Sequence, residues 1–135
     1  MEVKRIAIWW LAVAALGVPT VVGAQPGFTA AQAEAGRVEF ERRCAECHEA
    51  TDGFPRRAPA LTGPAFEDRW RGRRVRDLFV RMRDGMPPAG VRPGGESYTN
   101  ILAYLLRQSG LPAGADPLDP LSYDPFLGRS ALPRQ

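Results

Sequence analysis

Cys44, Cys47 and His48 are the only two cysteines and the only histidine of a 135-residue chain, and they fall together in the stretch "RRCAECHEA". Cysteines used for packing would be scattered, so the clustering points to a chemistry that needs the three groups together. Four chemistries compete. A disulfide between Cys44 and Cys47 is open to a chain in an oxidising compartment. A redox dithiol uses the same spacing, but it belongs beside a strand in a βαβ unit, and nothing here reads as strand. A zinc site needs four ligands, and beyond these three the chain offers only carboxylates and methionine. Covalent haem attachment uses all three. Two thiols three positions apart add to the two vinyl groups on one side of a porphyrin, and the imidazole after the second thiol is held beneath the ring, where it can ligate iron. Cys-x-x-Cys-His is a signature of that attachment. One cysteine pair and one histidine imply one covalently bound haem c, with its iron, per chain; a bare disulfide or dithiol is the alternative.

The start of the chain bears on where this chemistry takes place. Lys4 and Arg5 precede the apolar run "IAIWWLAVAALGV", which is followed by Pro19 and the small-residue stretch "VVGAQ". That order reads as a signal peptide over 1–24, cleaved after Ala24, with Val22 and Ala24 at the recognition positions. An uncleaved membrane anchor is the alternative. The apolar run is shorter than the roughly 20 residues a spanning helix needs, and Gly17 and Pro19 interrupt its end. Either way the remainder is exported, which implies a periplasmic location. From Gln25 onward the chain has 16 arginines, 14 acidic residues and no lysine. That near balance argues against a dedicated nucleic-acid binder. A domain of this size is marginal on burial alone and gains from a disulfide, a metal or a cofactor.

The elements that must position the cluster read as helices. "FTAAQAEAGRVEFERR" is the first, with Thr29 and Gln32 at the spacing of a capping box, and with Ala33, Gly36 and Phe40 on one face. The glycine there would let another helix approach closely. "ATDGFPRRAPALTGPAF" is rich in Pro and Gly and reads as loop. "VRDLFVRMRDG" carries Val75, Leu78, Phe79 and Met82 at i, i+3, i+4 and i+7, an amphipathic helix ending near Gly85. "MPPAGVRPGG" is loop again. "ESYTNILAYLLRQSG" is the last helix, with Tyr98, Ile101, Leu102 and Leu105 on one face and Gly110 past its end. From Leu111 the chain has five prolines and no helical period. Residues 111–135 therefore read as a Pro-rich tail, disordered or wrapped on the surface, after a domain over 25–110. No alternating β-branched run and no internal repeat occurs, so the fold class is all-α.

This order of features resembles the small soluble monohaem cytochromes c of the class I type, over about Phe28 to Gly110. "FTAAQAEAGRVEFERRCAECH" is similar to that family's first helix and haem motif, "APALTGPAF" to its loop beside the haem, and "ILAYLLRQSG" to its last helix. The resemblance implies three main helices wrapped around a covalently attached haem, with the first and last crossing near Gly36, Phe40 and Tyr104. It also implies His48 and a methionine as axial iron ligands. Met82 lies on the apolar stripe of its helix, where packing explains it. Met86 lies beyond Gly85, Pro87 biases it towards extended backbone, and "MPPAG" resembles the family's ligand loop, so Met86 is the expected ligand. Methionine opposite histidine raises the reduction potential and suits an electron carrier. By the same resemblance the Pro59 carbonyl accepts from the His48 ring, which fixes it. Leu61 packs on the haem, and the Trp70 indole reaches a haem propionate, a core tryptophan being the other reading.

Seven arginines lie between Arg69 and Arg83. They read either as a solvated face with ion pairs to Asp77 and Asp84, or as groups that hold haem propionates or steer an acidic partner. The function implied is an exported carrier of single electrons between redox proteins such as a dehydrogenase, an oxidase or another cytochrome, making no substrate bonds itself. It contacts a membrane only through an uncleaved N-terminus. The alternatives are a haem enzyme or gas sensor with an open sixth iron position, and a structural module with a disulfide.

Overall fold

The computed structural model describes residues 27–50 and 53–122; the expected signal segment and the end of the tail lie outside the described residues. Among the described residues there are five helices and no strand, an all-α fold: α1 (Ala30–Arg43), α2 (Ala45–His48), α3 (Pro64–Trp70), α4 (Val75–Gly85) and α5 (Gly95–Gln108).

α1 begins where the Thr29–Gln32 pair predicts. The Gln32 N–H donates to the Thr29 hydroxyl at 3.1 Å, and the Thr29 N–H donates to the Gln32 side-chain carbonyl at 3.1 Å. Two of the helix's free donors are thereby satisfied. Arg42 and Arg43 in its last turn oppose the negative end of the helix dipole. Its buried face is Ala33, Gly36 and Phe40, and that face meets α5, the main helix pair of the fold. A Cβ built on Gly36 would lie 1.8 Å from the Asn100 carbonyl oxygen, so the two backbones touch at a point that only glycine allows. One turn further on, the Phe40 and Tyr104 rings pack with centroids 5.2 Å apart.

α4 buries the expected stripe of Val75, Leu78, Phe79 and Met82. Asp77 accepts the Arg74 N–H at 3.2 Å, placing a carboxylate at the positive end of the helix. α5 buries Tyr98, Ile101, Leu102 and Leu105 as expected, and Ala103 and Leu106 besides. Each large aliphatic or aromatic side chain removed from water contributes roughly 1.5–3 kcal/mol, so the α1–α4–α5 core is the main source of stability. Gly110, at φ +87°, lies just past α5, and its N–H donates to the Arg107 carbonyl.

One expectation needs correction, and one is made more definite. The stretch "ATDGFPRRAPALTGPAF" is not loop throughout: α3 starts at Pro64, with Gly63 as its N-cap at φ +79°. Proline at the first helical position lacks only an N–H that would be unsatisfied anyway, and its fixed φ suits a helix start. Packing also runs past residue 110. Leu118 is buried in the core. Its N–H donates to the Gln32 side-chain carbonyl at 2.8 Å, and the Gly114 N–H donates to the Phe28 carbonyl at 2.8 Å. The described part of the tail is thus a strap across the start of α1.

Candidate functional site

The cluster opens directly out of α1. Cys44 ends that helix with its N–H on the Phe40 carbonyl, and the single turn of α2 follows. The Cys47 and His48 N–H groups both donate back to the Cys44 carbonyl, at 3.1 and 3.0 Å. One helical turn brings positions i, i+3 and i+4 to one face, so both thiols and the imidazole line the same cavity, of about 560 Å³. Both thiols are half-buried. Burial against the core pushes the Cys44 thiol up to about 11, so near neutral pH it keeps its proton.

The next segment folds back onto this turn. The Arg57 and Ala58 N–H groups donate to the Cys47 carbonyl at 3.0 and 2.9 Å, and the Arg57 guanidinium pairs with Glu46 at 2.5 Å. That fold delivers the Pro59 carbonyl to 2.7 Å from His48 Nδ1. A carbonyl can only accept, so Nδ1 carries the proton, and in the neutral ring Nε2 keeps its lone pair. The ring is therefore oriented and in the tautomer a metal ligand needs.

Leu61, half-buried, and Trp70 line the same cavity. The Trp70 ring packs at 6.3 Å from Phe66 and carries the Arg73 guanidinium 5.6 Å from its centroid, while its indole N–H has no partner among the described residues. Both methionines line the cavity as well. Met82 is only 7 % exposed and belongs to the core cluster, whereas Met86 is half-buried and has left the helix, with φ −129° and ψ 140°. The extended backbone is what Pro87 imposes on the residue before it.

Of three further features, sequence reasoning did not find the first two, whereas the third falls within the arginine run it singled out. The Tyr98 hydroxyl donates to the Met86 carbonyl. The Arg92 guanidinium donates to the Asp84 carbonyl at 2.8 Å, capping the end of α4 across the loop. Arg69 and Arg81 line the cavity with no ion-pair partner among the described residues. Of the first two, only Tyr98 had a usable signal: a tyrosine on an apolar stripe must find a partner for its hydroxyl. Of the basic run, Arg71 pairs with Asp68 at 2.5 Å and Arg83 with Asp84 at 2.7 Å, both in solvent.

The family model described as cytochrome c oxidase, cbb3-type, subunit III matches residues 31–105. No curated protein and no solved structure matches the chain. The family is one of c-type haem proteins, and the cavity fits the group. Its volume lies in the range of small-molecule and cofactor sites, about 300–1,000 Å³. Two thiols and an imidazole with a free Nε2 share its wall, and Arg69, Arg81 and the Trp70 N–H are donors suited to carboxylates.

Proposed function

Because the chain belongs to the cytochrome c oxidase cbb3-type subunit III family and is a haem-based electron carrier with covalently bound haem c, we propose that it is an exported one-electron shuttle in which His48 and Met86 would hold the iron. Thioether bonds through Cys44 and Cys47 hold the group, which supplies one reversible electron when bound. The chain's own residues do the rest. The Pro59 carbonyl fixes the His48 ring with Nε2 available. Met86 lends a thioether, a ligand that favours the reduced state and raises the potential. The apolar wall built by Leu61, Phe66, Leu78 and Ile101 would keep water from a group held in the cavity. Such a site moves electrons between redox proteins and makes no substrate bonds. The N-terminal segment 1–24 directs export and is removed after Ala24, so amino-terminal sequencing of the exported protein should begin at Gln25.

The observation that carries this reading is that His48, with its free Nε2, and Met86, outside the helix, line one cavity. The test is an optical spectrum of the holoprotein and of Met86→Ala. The oxidised wild type should show the weak near-infrared methionine-to-iron band. Met86→Ala should lose it, bind carbon monoxide when reduced, and have a lower potential. A band that survives in Met86→Ala, or high-spin bands in the wild type, would defeat the proposal.

A further inference from the structure

Tyr98 is 4 % exposed, and its hydroxyl donates to the Met86 carbonyl, twelve residues earlier in the chain. The Met86 N–H donates to the Met82 carbonyl at 2.9 Å. Both backbone polar atoms of Met86 are therefore tied, one by α4 and one by α5. Pro87 and Pro88, the next two residues, have no N–H to give, so the segment cannot anchor itself through donors there. The methionine side chain has three rotatable bonds and adapts to many positions. The backbone it hangs from sets which positions its sulfur can reach.

We propose that Tyr98 is a positioning residue for the sixth iron ligand: by holding the Met86 carbonyl, its hydroxyl sets how firmly the thioether competes with external ligands. The inference rests on Met86 being that ligand. External ligands enter only when the methionine segment opens locally, and the population of that open state follows from the few bonds that close it. Removing the hydroxyl deletes one of them and leaves a carbonyl without its partner, whereas the ring stays in the core.

The experiment is imidazole titration of the ferric holoprotein in five forms: wild type, Tyr98→Phe, Tyr104→Phe, Met86→Ala and the double variant Met86→Ala/Tyr98→Phe. Tyr98→Phe should bind imidazole roughly 3- to 10-fold more tightly, the shift expected for one buried hydrogen bond. It should keep the near-infrared band when imidazole is absent. Tyr104→Phe removes a hydroxyl that makes no hydrogen bond among the described residues, and it should bind as the wild type does. With Met86 already gone, Tyr98→Phe should add nothing, because the two act as one unit. Equal imidazole affinity in wild type and Tyr98→Phe overturns the inference, and so does an equal gain in the Met86→Ala background. A near-infrared band that persists in Met86→Ala instead removes the ligand assignment, a separate failure on which the inference also falls. If Tyr98→Phe does not accumulate as holoprotein, nuclear magnetic resonance of the wild type decides. The Tyr98 hydroxyl proton should exchange slowly, and exchange at the free-solvent rate would refute the bond.

Discussion

Gly36→Ala sets two effects of opposite sign against each other. Gly36 lies inside α1 and is not among the glycines with positive φ, so its backbone conformation suits any residue. In an isolated helix alanine there would be more stable by about 1 kcal/mol. In the fold, its Cβ would lie 1.8 Å from the Asn100 oxygen, 2.4 Å from the Asn100 carbonyl carbon and 3.0 Å from the Ile101 nitrogen. All three are backbone atoms of α5, so no rotamer change relieves the clash. Weak carbon-to-oxygen contacts need about 3.3 Å, so α1 and α5 must part by roughly 1.5 Å. A gap of even 0.5–1 Å forfeits a quarter to a half of the dispersion attraction between facing atoms. Overpacking of this kind costs about 1–3 kcal/mol, and with two rigid backbones the upper end applies. Less the gain in propensity, the variant should be destabilised by about 2 kcal/mol. For a domain of this size that lowers the melting temperature by roughly 8–16 °C. Thermal melts of the holoprotein by far-ultraviolet circular dichroism measure it. A Gly36→Ala protein as stable as the wild type, or more so, would refute the close-contact argument.

Met82→Ala should lose roughly 2–5 kcal/mol as a core truncation while keeping the methionine-to-iron band, which equilibrium denaturation and one spectrum together test. Cys44→Ala with Cys47→Ala should abolish covalent haem, so acid-acetone extraction should remove the colour; colour left with the protein would contradict the attachment argument. Arg71 and Arg76 are exposed and do not line the cavity. Replacing both by Gln should slow stopped-flow oxidation by an acidic partner and flatten its salt dependence, because screening acts over about 8–10 Å near physiological ionic strength. The potential should not move, and unchanged salt curves would leave these arginines as a solvated face.

What could be read in the sequence was whatever neighbours in the chain decide. The Thr29–Gln32 box, the Val75–Met82 stripe and the glycine after α5 each depend on residues within a few turns. α3 escaped because its Pro and Gly content resembles loop, although Gly63 followed by Pro64 is equally a helix start. Leu118 could not be found, since its N–H meets its partner in Gln32, 86 residues away. The cysteines and histidine announced themselves by spacing. That the Tyr98 hydroxyl would meet the Met86 carbonyl was hidden, because it depends on how α5 lies against the end of α4.

The Gln32–Leu118 clasp also has a consequence in time. A chain delivered from its N-terminus presents Cys44 and Cys47 long before Leu118, and α1 cannot pack before α5 exists. Closing a contact across 86 residues must await almost the whole domain. During that interval the thiols stand on an open chain, without the burial that pushes the Cys44 thiol up once the chain is folded and before a thioether replaces it. The first of the described helices to be made is thus among the last to be completed, and the sulfurs are most accessible while it waits.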